Sequence, residues 1–155
     1  MLAKEVPAGC EGLTMLPYLC GSTMPVYNPD AKGVFYGMTL AHTLGHFSRA
    51  ILESVAFTLK DNLDCIGAKS DEIRITGGGA TSPLWAQIKA DVTETNLSTL
   101  KEKESACLGT AILAGVGCGV YSSVEEACRH LVAWEVVHTA QAYPHEVRLF
   151  RVFTE

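Results

Sequence analysis

Residues 73–89 read IRITGGGATSPLWAQIK. Ile73 and Ile75 alternate with Arg74 and Thr76, the period of a pleated strand, until Gly77, Gly78 and Gly79 end the pattern. Three residues without side chains let a ligand reach main chain. Ser82 is a good N-cap, and Pro83 sits where a first helical turn tolerates proline. A helix is therefore expected over 84–92, its N–H ends toward the turn. A strand that feeds a helix N-terminus through glycine can hold a nucleotide. The same glycines also suit a plain tight connection, so support must come from elsewhere in the chain.

The 155 residues suffice for one domain with a substantial core, without disulfides or metal. Hydrophobic residues at 48%, charged residues at 19% and a net charge of −5 describe a folded chain without the basic surface that nucleic-acid binding needs. Nucleic acid is not an expected partner. The cysteines at 10, 20, 65, 107, 118 and 128 form no CxxC, and several lie in apolar runs where a thiol packs as a small hydrophobe; they are expected to be reduced. No basic-then-apolar leader opens the sequence, and no apolar run reaches the ~18 residues of a membrane span. Cytoplasm is the expected compartment.

Residues 1–12 carry little pattern and are expected to be irregular. The stretch 13–19 is apolar but broken by Pro17, which suits an extended segment or sheet edge. Asn28-Pro29-Asp30 marks a turn, and 33–38 returns to strand composition. From Thr43 to Ile66, apolar residues at 44, 47, 51, 55, 59, 63 and 66 recur at helical spacing, with Gly67 placed to stop the helix. Ala50, Leu52 and Ala56 widen that stripe, so this helix is expected to be covered on more than one side.

A second short strand is expected over 96–100. The helix from Ser105 carries Gly109, Ala111, Ala114 and Gly115, which predict close packing against a neighbour. Ser122 and Ser123 precede Glu125 and Glu126 as a capping box for a helix to about 132. A strand over 134–138 and a closing helix over 144–153 complete the reading. Strands alternating with helices predict an α/β layer architecture.

These residues resemble the FGGY carbohydrate kinases. The family's C-terminal signature is matched by Gly33, Phe35, Gly37 and Met38, then by His46, Phe47, Ala50, Ile51, Leu52 and Glu53. LPYL…NPDAKGVFYG is similar to the segment leading into it, especially in xylulose kinases. ITGGGATSPLWAQIKADV resembles the adenosine-binding segment, and ESACLGTAILAGVG resembles the second connecting helix at the interdomain hinge.

The resemblance implies an actin-like ATPase (ribonuclease H-like) domain, the C-terminal half of a sugar kinase, with a mixed sheet and flanking helices. Residues 1–155 would form a single ATP-side domain, incomplete at its N-terminal end. It further implies ATP with Mg²⁺ as cofactors, adenosine against the backbone of Gly77, Gly78 and Gly79, and Ser82 near the adenine or ribose. The phosphate-binding loops, the aspartate that takes the sugar hydroxyl's proton and most Mg²⁺ ligands would lie outside this chain, in the missing N-terminal part. No catalytic residue is therefore expected here, and the chain alone is expected to be inactive. Ser22 and Thr23 stand where many members have an acid and a base; xylulose is the expected sugar.

Other residues have sharper and plainer readings. His42 and His46 stand four apart, but zinc needs further ligands and none is apparent, so no metal site is expected. Glu53, inside an apolar helix, is expected to be buried, hydrogen-bonded and structural. Asp91 near a helix end suits a surface role, Trp85 suits packing, and His130, His138 and His145 show no pattern. Two rival functions are a dinucleotide-binding domain, whose third glycine is replaced by Ser82, and a non-catalytic interaction module that dimerises.

Overall fold

The computed structural model describes residues 2–143. Of residues 1–12, expected to be irregular, the described ones from 2 on hold short 3₁₀ turns at Leu2–Lys4 and Cys10–Gly12, with Ala3, Val6 and Cys10 buried. Strands β1 (Thr14–Leu16) and β2 (Val34–Tyr36) then pair antiparallel, Met15 opposite Phe35. Pro17 immediately follows β1, where its missing N–H costs no ladder bond. Between the strands, Asn28 Oδ1 accepts the Asp30 N–H at 3.0 Å and makes the predicted turn.

Helix α1 (Leu44–Cys65) begins at Thr43, whose N–H donates to His46 Nδ1 at 3.1 Å, and stops before Gly67 at φ 64°. It is covered on two sides, as expected. Ala50 joins Val6, Cys10 and Leu13 with Phe47, while Ala56 joins Ile88 and Val92 with Leu52 and Phe57. The covered face is not the whole predicted stripe, because Leu44 is 68% exposed and Ile51 and Ile66 also face outward. The small residues Gly45, Ala50, Ser54 and Ala56 are among those it buries, and at Gly45 a Cβ would stand 3.1 Å from the Leu2 carbonyl oxygen.

The second sheet has the order β3–β4–β5. Strand β3 (Glu72–Ile75) runs parallel to β4 (Asn96–Leu100), so the chain must cross over between them, and it does so through α2 (Pro83–Thr93). Strand β5 (Trp134–His138) lies antiparallel to β4. The result is a mixed sheet with flanking helices, α2 packing on both α1 and the sheet.

Helix α3 (Ser105–Gly117) departs from expectation. Ile112 is its one buried residue, Ala111 and Ala114 are exposed, and a Cβ at Gly109 would meet nothing. Only Gly115 has a close neighbour, the Tyr121 ring. Among the described residues α3 packs on α4 (Val124–Leu131), and that contact leaves Ala111 and Ala114 uncovered. At α4, Ser123 Oγ accepts the Glu126 N–H at 3.2 Å, and the Glu126 carboxylate reaches back to the Ser122 N–H at 2.7 Å.

All six cysteines are unpaired, but Cys10 alone is fully buried; those at 20, 65, 107 and 118 are exposed, so apolar neighbours in sequence did not make them core residues. Among the described residues no helix is long and apolar enough to cross a membrane. The helix expected over 144–153 lies outside the described residues.

Candidate functional site

The carboxyl ends of the parallel strands β3 and β4 open on a cleft of about 200 Å³, where ligands of open α/β sheets bind. Gly77, Ala80 and Thr81 line one side; Lys101 and Glu102, which follow β4, line the other. The turn between is a 3₁₀ turn over Gly78–Ala80, closed by Ala80 N–H to Gly77 C=O at 2.9 Å and Thr81 N–H to Gly78 C=O at 3.3 Å.

The three glycines have three different causes. Gly77 sits at φ 77°, ψ −171°, a conformation closed to residues with a Cβ. A Cβ at Gly79 would press on Lys89 Nζ at 3.2 Å and on the Trp85 ring at 3.5 Å. Gly78 has neither reason: its φ is ordinary, and a Cβ would meet no atom within 4 Å. It leaves bare backbone facing open space; of the three glycines Gly77 lines the cleft, and Gly78 and Gly79 stand beside it.

Ser82 is committed to the protein. Its Oγ accepts the Trp85 N–H at 3.4 Å as the N-cap of α2, and Thr81 and Pro83, its neighbours, line the cleft. Trp85 is a packing residue, its Nε1–H donating to Leu52 C=O at 3.1 Å across to α1.

Gln87 and Asp91 form a network rather than a binding surface. Gln87 Nε2 donates to Asp91 Oδ1 at 2.7 Å and to Thr139 C=O at 2.9 Å; Asp91 Oδ1 also accepts the Gln141 N–H at 2.9 Å. Those two bonds orient the Gln87 amide, so its Oε1 faces His138 Nδ1 at 3.1 Å and the imidazole carries its proton there.

His138 reaches the cleft through an irregularity of β5. Leu97 pairs with His138 but Ser98 pairs with Val136, a bulge that turns His138 onto the α2 face with Glu135. Burial pushes its pKa below the usual histidine value, with the nearby Asp91 opposing. Sequence reasoning missed His138 because a bulge has no periodic signal. It missed Lys89 too, which the helical pattern shows only as a charge amid apolar residues.

Away from the cleft, Glu53 is 2% exposed and accepts from Arg49 Nε at 2.6 Å, Gly9 N–H at 3.1 Å and Cys10 Sγ at 3.5 Å. It is the structural acid expected. His42 and His46 spend Nδ1 on the Thr39 and Thr43 N–H groups, and His46 Nε2 lies 3.4 Å from Glu11. Among the described residues no three histidine, cysteine or acidic groups cluster as a metal would need.

Residues 1–118 match the family model described as FGGY family of carbohydrate kinases, C-terminal domain. A gluconokinase of Bacillus subtilis (strain 168) is 35% identical over 128 residues, covering 80% of this chain and 25% of that protein. A xylulose kinase of Staphylococcus epidermidis is 30% identical over 149 residues, covering 94% of this chain and 30% of its own. The structure of a ligand-bound xylulose kinase from Lactobacillus acidophilus superposes with a TM-score of 0.76 at 28% identity, over 97% of this chain and 31% of that one. The chain thus spans between a quarter and a third of the length of these relatives.

Proposed function

The chain belongs to the FGGY family of carbohydrate kinases, with their actin-like α/β fold, and from that premise we propose that it forms the adenosine-binding side of an ATP-dependent sugar kinase. The observation that carries this reading is Gly78: at the carboxyl end of β3, it is bare where neither its φ nor a packing neighbour requires glycine. Bare backbone in a turn whose neighbours Gly77 and Ala80 line the cleft can be met by a flat, polar ligand such as adenosine. The cleft of about 200 Å³ is smaller than the ~300–1,000 Å³ of a complete ligand pocket, which suits one part of a nucleotide.

In this reading residues 1–155 work as one ATP-side domain. The backbone of Gly77, Gly78 and Gly79 takes the adenosine, while Ser82 caps α2 and fixes the turn's exit beside the ribose. ATP and Mg²⁺ supply the transferable γ-phosphoryl group and the charge that neutralises it, chemistry that rests on positioning and electrostatics. The Mg²⁺ ligands, the base and the sugar contacts come from the kinase's N-terminal part, the partner we assign to this chain. Closure of that part over the glycine turn excludes water. Xylulose is the acceptor proposed first, and cytoplasm the compartment. Alone, the chain binds adenine nucleotide weakly and transfers no phosphoryl group.

Calorimetric titration with Mg·ATP, beside Gly78→Val, tests the reading. Binding by the wild-type chain that the variant loses, with its thermal midpoint unchanged, supports it, since a Cβ at this position meets no protein atom within 4 Å. Equal binding by both would remove adenosine from the turn. A parallel NADH titration addresses the dinucleotide alternative.

A second reading, a module that dimerises without catalysis, draws on α3. Leu113 is 64% exposed there and Val120, just beyond it, 69%, and an uncovered apolar face favours association. Sedimentation equilibrium separates the two: a dimer that ignores nucleotide favours this module.

A further inference from the structure

Lys89 is 8% exposed on α2, yet no carboxylate pairs with it among the described residues. Two other contacts place its ammonium. Nζ donates to the Gly79 carbonyl at 3.1 Å, and it lies 4.1 Å from the centre of the Trp85 ring. Trp85 is itself fixed to α1 by its bond to the Leu52 carbonyl at 3.1 Å. A chain of contacts therefore runs from α1 through Trp85 and Lys89 into the glycine turn.

The physical consequence falls on one peptide group. The 79–80 peptide is held at both ends, its C=O by Lys89 and its N–H by the Gly77 carbonyl at 2.9 Å. Without the ammonium, the Gly79 carbonyl loses the one side-chain donor it has among the described residues, and the plane can tilt about Gly79, whose ψ no Cβ restricts, although a full flip is opposed by Ala80. Such a tilt would weaken the turn's closing bond from the Ala80 N–H to the Gly77 carbonyl, and Gly77 and Ala80 both line the cleft. An apolar side chain of equal length would pack on Trp85 but could not hold the oxygen. The cation is costly in this place, and burial holds its pKa below the usual lysine value.

Resting on the reading of the glycine turn as the adenosine contact, we propose that Lys89 is a positioning residue for the nucleotide: its ammonium, seated on the Trp85 ring, locks the Gly79 carbonyl and keeps the turn in the shape that accepts adenosine.

The test compares the full chain with Lys89→Met, which keeps length and packing, and Lys89→Arg, which keeps the charge. Three readouts are taken: thermal midpoint, hydrogen exchange of the Ala80 amide, and ADP affinity by calorimetry. Lys89→Met is expected to melt at or above the wild-type temperature, since a buried charge is gone. Its Ala80 amide should exchange about tenfold faster and its ADP affinity fall about tenfold, the scale of one charge-assisted bond. Lys89→Arg should recover part of both.

Unchanged exchange and affinity in Lys89→Met would overturn the proposal. So would a lowered midpoint with exchange faster throughout α2, which marks a merely structural lysine. If the wild-type chain takes up no ADP, the adenosine reading fails separately. The Ala80 amide then decides for Lys89 alone: faster exchange in the methionine variant sustains the lock, and equal exchange refutes it.

Discussion

At Gly77 the backbone passes through φ 77°, ψ −171°, and any Cβ there strains the chain by ~1–3 kcal/mol. Gly77→Ala should lower the urea midpoint accordingly, whereas Gly78→Ala, whose Cβ meets nothing, should fold within ~0.5 kcal/mol of wild type. Their contrast separates a glycine the fold needs from one it does not. A second residue-scale expectation concerns Glu53. Its carboxylate is shared by Arg49, Gly9 and Cys10, so Glu53→Gln leaves a buried guanidinium without its counter-charge. The expected loss is about 3 kcal/mol in urea unfolding. Burial first, and the Glu53 charge second, push the Cys10 thiol far above the usual thiol range. Cys10 should therefore resist alkylation in the native state while the exposed Cys107 and Cys118 react; mass-mapped iodoacetamide labelling checks this.

At the scale of elements, α1 joins two small cores that would each be marginal alone, one against the N-terminal turns and β1, the other against α2. The β5 bulge matters equally, because it puts His138 on the α2 face beside Gln87 and Asp91. The folded His138 pKa lies below the unfolded value, so the neutral ring is the one the fold favours. Between those two values the unfolded chain binds more protons. The His138 contribution is complete above about pH 6.5 and is lost as pH falls toward the folded value. Thermal midpoints from pH 7.5 down to 5 should fall less steeply in His138→Gln, which can keep a bond to Gln87 but cannot titrate.

On the molecule's outer surface, α3 leaves apolar side chains open. A helix this apolar on most sides is normally covered, yet Leu113, Ala111 and Ala114 face outward. In the dimerising alternative a second copy of the chain covers this face. Leu113→Glu should leave the midpoint within ~0.5 kcal/mol of wild type. It should also reduce concentration-dependent association in sedimentation velocity. An unchanged association would move the contact to the exposed Val34, Phe35 and Tyr36 of β2.

The sequence by itself determined the order of strands and helices, because alternation, helical spacing and capping residues act over a few neighbours. Ser82, Thr43 and Ser123 each cap the helix they were expected to cap. It also determined the family, through the signature from Gly33 to Glu53, and the place of the glycine turn. Which face of α1 is buried, where α3 lies open, how His138 comes to the cleft and how Lys89 comes to the Gly79 carbonyl were settled only by the packing of the folded chain. Each depends on contacts between residues far apart in the chain: Lys89 is 10 positions from the carbonyl it holds, and His138 is 51 from Gln87. Burial of a helix face and a register shift in a sheet follow from what packs opposite, and a local pattern carries no record of the opposing element.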